Sequence, residues 1–506
     1  MRTDRINLLL LLRLLLLTLC AAFAAIPAHA GDKTLVVGVQ AGAASLDVRQ
    51  ATDAASARIL RLVTLGLVTL DASQTVVPDA AARIEETNAL TYKIWLKPLA
   101  YHDGTPLTAQ TVKDLYDSIR DPAGTSPLKG LYGVIARIDT PAADELVFTL
   151  NKPNPFFWNL LLRPLVHLTP EAEESGVPIG LGPYKVVQIG EVGDVTLVRA
   201  PTWQGDQPPL DEIIFKVVPD PLVRLLKLRH GELDLVQNDI PDVFYDYGIA
   251  HGLKGVTGEA ATYTYIGFNL QDTVTGNPAV RDALAYAINK KVMMDTLLGG
   301  RARPARSVLP EGSPAFWGAP EVPYDPLKAA EILERAGFKK GPDGTRLRLT
   351  FSVTNNPSIL LMAQVLQAQL GDVGIDLKIA GSEWGTFYGN IKKGNFQLFL
   401  LSWVGLFQPD FLQYVFHSSM VPPAGANRGR YINAEMDKLI DALMTEPDAA
   451  KRDVLAVKVQ QLQAKDRIYL PLWRRDHLVL MRPQVTGYTP ALDGGYDALL
   501  HTDIQP

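Results

Sequence analysis

The chain of 506 residues is too long for one hydrophobic core, so roughly two to four folding units are expected. Hydrophobic residues make up 47% and charged residues 20%, which excludes a disordered chain. The formal net charge is −5, and the basic clusters (Arg301-Ala302-Arg303, Arg428-Gly429-Arg430) are short, so nucleic acid is a poor partner.

The chain starts with Arg2 and Arg5, continues as a leucine run broken only by Arg13, and reaches Ala28-His29-Ala30 before Gly31. A basic start, an apolar middle and an A-x-A exit make a secretory leader, with cleavage expected after Ala30 and a periplasmic product. Leu14 to Ile26 is shorter than the roughly 20 apolar residues that span a bilayer. Bulky Leu19 before Cys20 argues against a lipid anchor there. Cleavage removes the single cysteine, so the mature chain forms no disulfide.

Lys33–Gln40 is apolar almost throughout and predicts a buried strand. A helix is expected over Ala54–Leu67. Thr91–Leu96 alternates, with Tyr92, Ile94 and Leu96 on one face, as a half-buried strand does. Thr108 is placed to cap a helix with Val112, Leu115, Tyr116 and Ile119 on its apolar face. Strands follow at 145–150, 185–188, 194–199 and 212–217. From about Tyr265 the pattern becomes helices opened by Pro278 and by Asp325-Pro326, then strand 346–352, helix 358–370, strand 375–379, a helix near Phe387 and the apolar run Phe396–Leu401. That alternation predicts a parallel α/β sheet. Two helices (434–444, 449–464) and two strands (468–473, 477–481) end the series, and the last strands are placed to return the chain to its first half.

No histidine pair has helical metal-ligand spacing, and no H-E-x-x-H, G-x-S-x-G or phosphate-loop motif is present. Ser126-Pro127-Leu128-Lys129 matches a bare S-x-x-K without its companion motifs. Neither a catalytic group nor a metal or cofactor site is therefore expected. An exported hydrolase is the rival reading from another class.

Several segments, in order, resemble the bacterial extracellular solute-binding proteins of family 5, the oligopeptide, dipeptide and nickel type that serves ABC importers. They are Tyr92–Ala109 with its His102-Asp103-Gly104 turn, Gly180-Leu181-Gly182-Pro183-Tyr184, Leu228–Asp234, Tyr265–Leu270, Val280–Leu284, Tyr324–Phe338, Gly374-Ile375 and Trp403. Pro98 stands where that family usually has glycine. The residues themselves read as structural: glycine in His102-Asp103-Gly104 permits a tight turn, and the aspartate bonds nearby backbone.

The resemblance implies an α/β, two-lobed fold of the periplasmic-binding-protein type (type II). Lobe I would cover 31–262 and 485–506, with an extra subdomain inserted near 71–181, and lobe II 263–484. Hinge motion is expected near Gly267 and Met481. It also implies a small solute, most often a peptide, clamped between the lobes against Trp403, and ABC permease and ATPase subunits as partners. Contact with the membrane would run only through the permease, and the chain is expected to be a monomer. A ligand-sensing domain that signals without transport is the runner-up. Peptide-binding members place an acid three residues after that tryptophan, for the ligand's amino group; here the position is Leu406, in the loop with Gly405, and Asp410 is the acid that could replace it. Trp384, Tyr132, Gln40, Arg428 and His417 complete the candidate ligand contacts, Arg428 because its planar fork suits a carboxylate.

Overall fold

The computed structural model describes residues 33–71, 75–404 and 408–505. The leader, its cleavage site, Gly405 and Leu406 lie outside the described residues. Among the described residues, the strands form two large mixed sheets, one four-stranded antiparallel sheet and two two-stranded pairs.

The first sheet runs in the order Lys254–Gly258, His477–Met481, Leu235–Gln237, Thr34–Val39, Glu212–Val217, Val195–Arg199, Tyr184–Ile189. Thr34–Val39 is parallel to both its neighbours, which places it centrally and explains its nearly continuous apolar run. The helix Ala54–Val63 packs beneath and stops at Thr64, four residues short of the expected end.

The small sheet (Ala81–Asn88, Thr91–Leu96, Glu145–Leu150, Ile135–Ala142) is antiparallel throughout. Its buried positions Tyr92, Ile94, Leu146 and Phe148 alternate, and the helix Ala109–Arg120 lays Val112, Leu115, Tyr116 and Ile119 on them. Thr108 caps that helix through a reciprocal bond with Thr111. The His102-Asp103-Gly104 turn and the Gly180–Tyr184 turn dock on each other. The His102 backbone N–H donates to Gly180 O at 2.9 Å, and its Nε2 lies 3.0 Å from Gly182 O. Burial holds the His102 imidazole below its usual range, so it is neutral and donates from Nε2. Gly180 and Gly182 are needed because the chain passes hard against Val63 and Thr64. A Cβ on Gly182 would sit 2.5 Å from Val63 C.

The second sheet runs Ala302–Pro304, Tyr469–Arg475, Tyr263–Phe268, Leu398–Trp403, Leu347–Thr354, Ile375–Ser382. Only the last three are mutually parallel; Tyr263–Phe268 is antiparallel to both its neighbours. The parallel arrangement expected for the strand-helix-strand-helix-strand run over 346–401 is the one these three strands form; the sheet as a whole is mixed, because the chain enters and leaves this half on two adjacent antiparallel strands. Helices Pro278–Ala287, Lys290–Leu297, Pro326–Arg335 and Pro357–Asp372 cover one face, and Phe411–Phe416, Ala434–Leu443 and Ala449–Asp466 the other.

Two short spans join the large sheets. The chain crosses from Gly258 to Tyr263 and returns from Arg475 to His477, and the strands flanking the two spans pair with one another on either side. The return thus falls before His477, not at 485, since His477–Met481 pairs within the first sheet. Gly267 and Met481, expected near the hinge, are instead inside strands. Arg474 crosses beside the spans, donating to Ala261 O, Ser307 O and Val308 O, each at 2.8 Å. Arg301 and Arg475 reach Asp246 and Asp242 of the helix Asp242–Ala250, at 2.6 Å each.

Candidate functional site

Trp403 ends its strand opposite Tyr263, in the same row as Arg474. Alternation along Tyr263–Phe268 puts Tyr263 and Tyr265 on one face, where their rings stack at 5.6 Å. The Trp403 indole lies parallel to Tyr265 at 6.4 Å and edge-on to Phe411 at 4.8 Å. Tyr469 from the neighbouring strand closes on Tyr265 at 4.0 Å. Burial pushes the Tyr469 hydroxyl up to about 12 and Tyr265 well above its usual range, so both phenols are neutral.

Arg428 is brought against this group by a loop that Asn427 clamps. The buried Asn427 amide accepts from Tyr431 N at 2.9 Å and donates to Tyr431 O at 2.7 Å and His417 O at 3.2 Å. The Arg428 guanidinium lies 4.2 Å over the Trp403 ring. It donates to Tyr265 Oη and Tyr388 Oη, both at 3.2 Å. Tyr388 in turn stacks on Trp384 at 5.2 Å, and Trp384 is 55% exposed. The groups therefore stack in the order Trp384, Tyr388, Arg428, Trp403, with Arg428 the most buried of the four. Arg428 is only 7% exposed, yet among the described residues no carboxylate lies within ion-pair distance of it. Neither Trp403 Nε1 nor the neighbouring Tyr469 hydroxyl closes a well-formed hydrogen bond. The cluster is rich in donors and poor in acceptors.

The facing wall comes from the inserted part of the first half. Asn159, in the short helix Phe157–Leu160, donates from Nδ2 to Asp410 Oδ2 at 3.2 Å. Buried Phe156 beside it joins the apolar cluster of the second half, and Arg452 lies 5.5 Å over its ring. Asp410 also accepts from Phe411 N at 3.0 Å, at the start of the helix Phe411–Phe416. Burial raises its carboxyl above the usual range, against the bonds from Asn159 and Phe411 that hold it down.

Of the expected contacts, Trp403, Trp384 and Arg428 come together. Tyr132 does not join them: it is 2% exposed, packs on Tyr116 and donates to Leu160 O at 2.8 Å, so it is a core brace under the helix that carries Asn159. Gln40 is exposed at its strand end, with its backbone N–H on Asp239 Oδ2 at 2.7 Å. The His417 ring faces Ser419, Asp437 and Asp441, away from the aromatic layers. Tyr265, Tyr388, Tyr469 and Asn159 were not anticipated. Two signals pointed to two of them: Tyr265, at strand spacing from Tyr263 on the strand that pairs with Trp403's, and Tyr388, one helical turn after Trp384. Among the described residues, no group of three His, Cys, Asp or Glu is placed to hold a metal ion, and no helix is long and apolar enough to cross a membrane.

The family model for the middle region of bacterial extracellular solute-binding proteins, family 5, matches residues 75–420. A Brucella ovis protein named for ABC-transporter peptide binding is 26% identical over 445 residues, 84% of either chain. The glutathione-binding protein GsiB of Salmonella typhi is 28% identical over 500 residues, 95% of this chain and 96% of that one. The crystal structure of NikA from Brucella suis, in complex with Fe(III)-EDTA, superposes with a TM-score of 0.84 at 21% identity, covering 93% of this chain and all of the other. With more than half of its length matched by the family model, and with the two-lobed fold of its structural neighbours, this chain belongs to the bacterial extracellular solute-binding proteins, family 5.

Proposed function

We propose that the protein, exported by its leader and cleaved after Ala30, captures a small peptide or peptide-like solute between its lobes as a monomer. It then delivers that solute chemically intact to the permease and ATPase of an ABC importer. Lobe I comprises the first sheet with the inserted antiparallel sheet, and lobe II the segment from Tyr263 to Arg475.

The observation that carries the reading is Arg428, a guanidinium nearly removed from water with two phenols for partners and no counter-charge. A buried charge is costly without a partner, and a carboxylate on the solute supplies one. The planar fork retains donors beyond the two it uses here. Asp410 is a poor seat for a ligand ammonium, because Asn159 already bonds it and burial favours its neutral form. The site therefore selects the acidic end of a solute.

The test is a melting-temperature panel of one tripeptide as the free acid, the C-terminal amide and the N-acetyl form. A ligand that binds only the folded state raises the midpoint. The free acid and the N-acetyl form should stabilise and the amide should not; equal stabilisation by the amide overturns the acid-selective reading. Mass spectrometry of solute released by denaturation names the natural ligand. Its recovery uncleaved after prolonged incubation separates a receptor from a hydrolase.

A further inference from the structure

A second cavity lies on the outer edge of lobe II. The short strand Ala302–Pro304 pairs only with Trp473–Arg475, leaving the edge of Tyr469–Pro471 without a strand beside it. A pocket of about 440 Å³ opens there, within the roughly 300–1,000 Å³ typical of small-molecule sites. It is distinct from the cleft cluster and shares only Tyr469 with it. Trp403 shares a row with Tyr263 and Arg474, whereas Pro471 and Tyr469 lie opposite Tyr265 and Gly267, further along the sheet and on the far side of the central strand.

At the base of the pocket is Lys290, the first residue of the helix Lys290–Leu297, only 8% exposed. Its ammonium has three donors and a single long contact, 3.4 Å to Pro471 O. Among the described residues no carboxylate is within ion-pair distance of it, and Glu321 on the wall acts only from further away. The other cations on the lining are Arg306, Lys465 and Arg467. Arg467 is paired with Asp282 at 2.6 Å, and Arg306 is tied to Gly318 O and Ala319 O. Lys465 is exposed to solvent, so Lys290 is the buried charge left under-satisfied, and Trp317, Pro320 and Val322 give the walls an apolar character.

We propose that this pocket is an accessory site for a small organic anion, which sets its carboxylate on Lys290 and its apolar body against Trp317. A desolvated ammonium with one weak acceptor gains from a carboxylate what it lost to burial. Because Tyr469 forms part of this wall and also packs on Tyr265, the occupant touches the back of the strand that supports the cleft cluster.

The test is saturation-transfer NMR of the full mature protein with benzoate, using benzamide as the neutral isostere. Benzoate should take up saturation and benzamide should not. Lys290→Met should weaken benzoate binding at least about tenfold, since truncating a charged hydrogen-bond partner costs that much or more. Ala319→Phe fills the rim without touching Lys290 and should also abolish the signal, so it decides the matter if Lys290→Met fails to fold. Every arm is run in the Arg428→Met background, which removes the cleft guanidinium as a second seat for the benzoate carboxylate. No transfer to benzoate, equal transfer to benzamide, or survival of the signal in Ala319→Phe each overturns the proposal. The cleft reading stands or falls separately, on the tripeptide panel.

Discussion

Arg428→Met separates the cost of holding a buried charge from the benefit of using it. In the free protein the change removes two hydrogen bonds from a charged donor, worth about 1.5–3 kcal/mol each, and a cation–π contact of up to about 2 kcal/mol. It also relieves the several kcal/mol that an unpaired guanidinium pays for leaving water, and methionine fills comparable space. These terms oppose one another, so the stability of the free protein should move by less than about 2 kcal/mol, in line with the near-neutral outcome of replacing buried charges by apolar residues. With an acidic solute bound, the same change deletes one half of a desolvated charge pair, at about 2–5 kcal/mol, or roughly 30- to several-thousand-fold in Kd. Calorimetric titration with the free-acid tripeptide and its amide reads the effect directly. The preference for the acid should disappear in the variant while its melting curve stays cooperative. An undiminished preference for the acid would show that Arg428 is a packing residue and that the solute's charge is met elsewhere.

Asp410 gives a pH signature. Its native carboxyl is raised, so its contribution is fully present below about pH 4, the ordinary carboxylate value, and is lost as pH rises through the native value. Asp410→Asn imitates the protonated form and keeps an acceptor for Asn159; the variant should match the parent in melting near pH 3.5 and exceed it at pH 7, and lower stability at neutral pH would contradict the assignment. Arg474→Met strips donors from three carbonyls at the lobe junction and should cost at least about 3 kcal/mol in denaturant titration, a value under 1 kcal/mol meaning that water replaces the side chain. Gly182→Ala pushes a Cβ onto the backbone of Val63 and Thr64, so it should cost about 3 kcal/mol of unfolding free energy, read as a lower melting midpoint and lower soluble yield; normal stability would mean the two turns can separate.

Local signals were legible wherever a periodicity met a cap or a turn. Thr108 with its apolar helix face, the alternation of Thr91–Leu96 and the two glycine turns all appear where the residue order places them. Strand direction was legible for the three strands that alternate with helices, which are mutually parallel, but not for Tyr263–Phe268, because a strand's own residues do not encode which way a distant neighbour runs. Tyr263–Phe268 pairs with Leu398–Trp403 and Tyr469–Arg475, partners more than a hundred residues away. The same distance hid the site. Arg428 meets Tyr265 across 163 residues, so its role followed from the side chain's chemistry but its company did not. Tyr132 erred in the opposite direction: expected as a cleft contact from the first lobe, it is buried by its neighbours.

The paired crossings at Gly258–Tyr263 and Arg475–His477 work like a door hung on two pins. A single tether would let the lobes swivel in any direction. Two tethers side by side, braced by Arg474, permit a swing about the line that joins them and oppose torsion. For the capture proposed above, entry and escape of the solute would then follow one angular coordinate, and a permease would need to sense only that angle to know whether the receptor is loaded.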